Sequence, residues 1–195
     1  MSSELYIGIQ GATREAILAA ANERGEIVAV QRMGPLALRV NRDLRTDFVD
    51  GLRGLASELG FASPKQIVSQ LRGLCVAMSG VFQDGDEFAV NQLLVETGFV
   101  GDFKTVTCED VWADLAAAGF DEGAVFLVST GSNVFVRGSS GEHLNVGGWG
   151  SEIDDLGSGF FVGRLALGKI LQHVDGRAVV SKAFVQRVLE VLLDL

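Results

Sequence analysis

The chain has 195 residues, 48% of them hydrophobic, and a formal charge of −9 with the acids scattered along its length. That is enough apolar material for one large core or two small ones. Without a concentrated basic patch, nucleic acid and anionic membranes are poor partners, and small molecules are the better expectation. No run approaches the roughly 20 unbroken apolar residues of a membrane helix, and Met1 to Glu4 bring no basic flank, so a cytoplasmic protein is expected.

Leu5–Gln10, Ala16–Ala21 and Ile27–Gln31 are short β-rich runs, broken at Gly11 and at Arg24-Gly25, and predict a three-stranded meander. Asp43–Leu59 places Leu44, Phe48, Leu52, Leu55 and Leu59 at helical spacing and closes on Gly60. Leu74–Met78 predicts a buried strand, Phe88–Thr97 a helix, Phe103–Val106 a strand and Asp110–Ala118 a helix stopped by Gly119. Strands and helices in this order fit a mixed sheet covered by helices.

The pattern then restarts. Ala124–Ser129, Asn133–Arg137 and His143–Val146 predict a second meander, with Ser140-Gly141-Glu142 where the first has Arg24-Gly25-Glu26. Each meander also carries a Gly/Thr/Ser corner after its first strand, so a duplicated unit is inferred. Helices are predicted at Gly159–Val174 and Ala183–Leu193, and the second copy is expected to be incomplete. Two domains follow, 1–118 and 119–195. Leu189, Val191, Leu192 and Leu193 either close the last helix onto its own core or pack on a second chain as a homodimer.

Gly11-Ala12-Thr13 and Ser129-Thr130-Gly131-Ser132 suit phosphate, because small side chains let backbone N–H groups approach an anion and the hydroxyls add donors. An ordinary hairpin turn uses the same residues. Gly147-Gly148-Trp149-Gly150, followed by Ser151-Glu152 and Asp154-Asp155, holds an aromatic between glycines near a helix start. Its carboxylates serve either as helix caps or as partners for sugar hydroxyls. Asp110, in Cys108-Glu109-Asp110, has the same two readings. Cys75 and Cys108 lack a CxxC spacing or a matching histidine, so buried reduced thiols are expected.

Ser-Thr-Gly-Ser-Asn at 129–133, Gly-Gly-Trp-Gly at 147–150, Asp155 with Gly157-Ser158-Gly159, and Gly163-Arg164 together resemble the N-acetylglucosamine kinase and BadF/BadG/BcrA/BcrD ATPase family. The resemblance implies the actin, Hsp70 and sugar-kinase fold, here a ribonuclease-H-like α/β domain followed by an incomplete second copy. It implies an ATP-dependent sugar kinase acting on an amino sugar such as N-acetylglucosamine. Asp110 would be the general base; Thr13, Thr130 and Gly131 would grip ATP phosphate. Ser132, Asn133, Gly148, Trp149, Gly150, Ser151, Glu152 and Asp155 would contact the sugar. ATP and Mg2+ are the implied cofactors. Where the family carries an acidic residue ahead of the first loop, this chain has Gln10, which can accept hydrogen bonds from metal-bound water but brings no charge to a hard cation. Near Gly34-Pro35, where the sugar kinases have an asparagine, stand Leu36-Ala37-Leu38, with Asn41 close by. The alternative is a sugar-binding or regulatory module derived from such a kinase, with catalysis impaired.

Overall fold

The computed structural model describes residues 4–38, 43–81 and 85–193, and Asn41 lies outside them. The chain divides into two compact units, Met1–Ala118 and Gly119–Leu195. In the first, β1 (Leu5–Gly11), β2 (Ala16–Asn22) and β3 (Ile27–Met33) form an antiparallel meander. β4 (Leu71–Met78) and β5 (Lys104–Cys108) add in parallel beside β1, giving the sheet order β3-β2-β1-β4-β5.

Alternation along β1 buries Leu5, Ile7, Ile9 and Gly11 on one face and leaves Tyr6, Gly8 and Gln10 on the other. The buried face receives α1 (Leu44–Glu58), whose Phe48, Leu52 and Leu55 pack into the core with Leu18, Leu74 and Val76. Burial of each such side chain contributes roughly 1.5–3 kcal/mol. Asp43 caps α1 by accepting from the Thr46 backbone N–H at 3.1 Å, and Gly60 ends it at φ +75°.

The expected strands and long helices are present, with informative shifts. β5 begins after Phe103 and runs on to Cys108, because pairing with β4 continues to Ala77 opposite Cys108. Phe103 instead packs its ring 6.3 Å from that of Phe99. α2 (Pro64–Val68) is a short helix that periodicity does not reveal. Its start is written in Ser63-Pro64-Lys65-Gln66, where the Gln66 side-chain oxygen accepts from the Ser63 N–H at 3.3 Å and Pro64 opens the helix. α3 (Asp86–Glu96) and α4 (Asp110–Ala117) complete the unit. α4 packs on β4 and β1, over the face that carries Gln10.

The second unit repeats the meander as β6 (Gly123–Val128), β7 (Ser132–Arg137) and β8 (His143–Gly147), followed by α5 (Gly159–Val174) and α6 (Lys182–Leu193). The two meanders share a turn in hydrogen-bonding detail. Asn22 N–H donates to the Glu26 carbonyl at 3.0 Å and Gly25 N–H to that of Asn22 at 2.9 Å. Gly138 N–H donates to the Glu142 carbonyl at 2.9 Å and Gly141 N–H to that of Gly138 at 3.1 Å. The fold is ribonuclease-H-like: a five-stranded mixed sheet with its helices, followed by a second three-stranded meander with two helices. Among the described residues, Phe135 is the hydrophobic side chain most fully buried in the second unit, while Leu189, Val191 and Leu192 on α6 remain substantially exposed.

Gly11 is required by close approach: a Cβ there would overlap the Leu36 carbonyl oxygen and press on Met78. Gly11→Ala is expected to lower stability by about 1–3 kcal/mol, the usual cost of overpacking. Urea unfolding measures it, and an unchanged midpoint would contradict this packing.

Candidate functional site

In the first unit, three strand ends converge at the carboxyl edge of the sheet. Parallel pairing sets β1, β4 and β5 side by side, so Gln10-Gly11, Met78-Ser79 and Cys108-Glu109 finish together. The corner after β1 is held by backbone bonds: Ser79 N–H donates to the Gly11 carbonyl at 2.7 Å, and Leu36 N–H to the Ala12 carbonyl at 3.0 Å. Thr13 follows as an exposed residue. The corner is thus fixed from both sides, with Thr13 exposed beside it.

Asp110 is the first residue of α4, preceded by Glu109 in extended conformation as the cap position. The cap position thus falls on Glu109, whose side chain makes no capping hydrogen bond, and Asp110, expected as a possible cap, is instead the first residue inside the helix. Burial, and then the charge of Asp114, hold the Asp110 carboxyl above the usual aspartate range, against opposing hydrogen bonds from the backbone N–H groups of Val111 and Asp110 itself. Glu109 is only 9% exposed. Burial, with a smaller contribution from Asp110, pushes it up to about 7. Asp114 lies one helical turn beyond Asp110 and accepts a hydrogen bond at 3.0 Å from the Gln10 side-chain amide. The amide at Gln10 therefore does not stand alone: one of its two N–H groups is committed to a carboxylate, and its oxygen remains able to accept from a ligand.

The two cysteines lie diagonally on neighbouring strands, both on the Gln10 face, Cys75 opposite Val106 and Cys108 opposite Ala77. They are free and half-buried rather than fully buried. The Cys108 thiol donates toward Cys75, which lowers the Cys75 pKa and raises that of Cys108.

In the second unit, the predicted residues gather around the loops that follow β6 and β8. Asp155 is buried and adopts φ +56°, unlike any other non-glycine residue described. Its Oδ1 accepts from the Ser132 backbone N–H at 3.1 Å. Gly131 leaves room for that carboxylate, since a Cβ would stand 3.1 Å from Oδ2. Ser132 Oγ donates to the Leu156 carbonyl at 2.9 Å, and Gly159 N–H donates to the Ser129 carbonyl at 2.7 Å. Ser158, fully buried, caps α5 by accepting from the Phe161 N–H at 3.1 Å. Thr130 stays exposed at the tip of this braced loop.

Asn133 donates to the Asn145 side-chain oxygen at 3.2 Å, and a Cβ on Gly148 would come within 3.0 Å of the Asn133 Cβ. Gly147, Gly148 and Gly150 all take positive φ. The turn they form presents Trp149 at 79% exposure while its N–H donates to Asp154 at 3.2 Å. Ser151 gives its carbonyl to the Arg164 guanidinium at 3.2 Å, and Glu152 is exposed. Sequence reasoning passed over Asp114, which braces the β1 end; it named Asp154 and Ser158 without giving them the parts they take, Asp154 bracing the Trp149 turn and Ser158, rather than a carboxylate, capping α5. A signal existed only for Ser158, a serine three residues before a helical apolar run.

Among the described residues, no three or more His, Cys, Asp or Glu side chains gather as a metal ion would require, and no helix is long and apolar enough to cross a membrane.

No family model matches the chain. It is 28% identical over 121 residues to an N-acetylmuramic acid/N-acetylglucosamine kinase of Clostridium acetobutylicum, a match covering 60% of this chain and 38% of that protein. A crystal structure from Chromobacterium violaceum, assigned as an N-acetylglucosamine kinase, superposes with a TM-score of 0.75 at 23% identity, over 97% of this chain and 64% of that one. One from Porphyromonas gingivalis with the same assignment gives 0.66 at 21% identity, over 86% and 56%. The chain thus spans less than two thirds of each relative.

The buried Glu109 generates a pH signature. Held above its unfolded value, it keeps a proton in the fold where the unfolded chain has lost it. Its contribution is complete below about pH 4.5 and is lost as pH rises to about 7. Urea unfolding across this window should show the native protein losing on the order of 2 kcal/mol relative to Glu109→Gln. Parallel curves for the two proteins would contradict the assigned burial.

Proposed function

We propose, from the premise that the chain is a relative of the N-acetylglucosamine kinases with the actin-like sugar-kinase fold, that it phosphorylates an amino sugar such as N-acetylglucosamine using ATP. The observation that carries this reading is Asp110: a carboxylate at the carboxyl edge of the parallel strands β1, β4 and β5, with its proton affinity raised by burial and a neighbouring charge. A base is most effective when its pKa approaches the working pH.

In this reading the sugar hydroxyl oxygen attacks the γ-phosphorus, its proton passes to Asp110, and the bond to the β-phosphate oxygen breaks to release ADP. Positioning and charge neutralisation supply most of the rate. Each unit by itself offers a phosphate contact: Thr13 at the corner after β1, and Thr130 with Gly131 at the loop after β6. Magnesium arrives on the nucleotide phosphates, as part of the substrate. Ser132, Asn133 and the Gly148–Glu152 turn meet sugar hydroxyls, with the exposed Trp149 ring as an apolar surface for a sugar face. Asp155 serves the sugar through the loop it braces, since Oδ1 is occupied by the Ser132 N–H.

The uncharged Gln10 at the end of β1 favours a second reading, a module that retains the sugar grip and has lost phosphoryl transfer. A coupled ADP assay separates the two. The kinase reading expects ADP formation that requires both magnesium and N-acetylglucosamine, and Asp110→Asn is expected to lower kcat about 100- to 10,000-fold while circular dichroism stays native. Turnover indifferent to sugar, or unaffected by Asp110→Asn, would sink it.

A further inference from the structure

Gln10 and Asp114 are separated by 104 residues, yet the Gln10 amide donates to Asp114 at 3.0 Å in a partly buried setting. Asp114 and Asp110 lie on one face of α4, a single turn apart. Gln10 immediately precedes Gly11, whose carbonyl takes the Ser79 N–H and so fixes the phosphate corner. One carboxylate therefore touches the strand that feeds the corner and stands beside the aspartate that opens the helix. We propose that Asp114 is a positioning residue of the transfer site, tying the Gln10 carboxamide at the end of β1 to the helix that carries Asp110. This inference rests on the kinase reading for its catalytic meaning.

The tie does two things. It occupies one N–H of the Gln10 amino group and holds the carboxamide against flipping, so that the oxygen stays turned away from Asp114 and able to accept from a ligand. It also keeps a negative charge one turn from Asp110, which favours the protonated form of that base. Besides Asp114, the titratable group in electrostatic contact with Asp110 is Glu109; Cys108, next to Glu109 at the end of β5, feels Cys75, Glu109 and Glu87, and β1 contributes the uncharged Gln10. Removing only the charge at 114 should therefore be visible at Asp110.

Asp114→Asn separates the two effects, because an asparagine oxygen can still accept from Gln10 while the charge is gone. Carboxyl-carbon NMR of Asp110 in the full chain is expected to show its titration moving to lower pH in Asp114→Asn, with the acidic limb of kcat/KM moving the same way and KM for magnesium ATP unchanged. Asp114→Ala, which also frees Gln10, should raise that KM, by up to about 100-fold if the amide is misplaced by an ångström. A merely structural Asp114 would move neither the titration nor the KM split. An Asp110 titration identical in the native protein and in folded Asp114→Asn overturns the proposal. If the native protein makes no ADP, the kinase reading fails, and the NMR titration still decides whether Asp114 acts on Asp110.

Discussion

The parallel pairing of β1 with β4 is the constraint on which the first unit depends. A parallel neighbour cannot be reached by a tight turn, so the chain travels through α1 and α2 before returning alongside β1. That detour covers one face of the sheet with Phe48, Leu52 and Leu55. It also aligns the carboxyl ends of β1, β4 and β5, the edge at which open α/β sheets place their ligands. The hydrogen bond from Ser79 N–H to the Gly11 carbonyl, at 2.7 Å, latches two of those ends together. Every chemical feature of this unit follows from that edge: the corner at Thr13, the α4 start at Asp110, and the Gln10 to Asp114 tie beneath them.

The second unit builds its loops on a different principle. Its meander lacks parallel neighbours among the described residues, so the loop after β6 is held by side chains and by the start of α5. Asp155 accepts the left-handed backbone that a glycine would take more easily, and places its carboxylate against the Ser132 N–H. Ser158 closes the arrangement as a buried cap. The left-handed backbone of Asp155 and the burial of both residues leave Thr130 on a braced loop and Asn133 at the start of β7, so less ordering entropy remains to be lost when a ligand binds.

What the sequence made legible was local. The spacing of Phe48, Leu52 and Leu55 announced α1, and the Gly25 and Gly141 turns announced two related hairpins whose hydrogen bonds do match. Asp110 was legible as an acid at a strand end and a helix start, with cap and ligand-facing readings both open, and its role as a base came only from the family resemblance. Contacts between distant segments were not legible. Nothing in Gln10 or Asp114 alone signals the other across 104 residues, and Glu109 reads as an ordinary surface acid until α4 and the sheet bury it. The lower end of β5 was misread for the same reason: a run of Thr and Cys becomes strand only because β4 offers it partners. The loop residues around Trp149 were found from glycine spacing, but their bracing by Asp154 was not.

We propose that this chain recognises an amino sugar, whether or not it transfers phosphate. Isothermal titration calorimetry with N-acetylglucosamine, alone and with a non-hydrolysable ATP analogue and magnesium, tests that claim most directly. Saturable one-to-one binding of the sugar, tightened by the nucleotide analogue, is the result expected of the kinase; sugar binding indifferent to the analogue would belong to the impaired module. No saturable heat from the sugar under either condition, in protein shown to be folded by circular dichroism, would contradict the account.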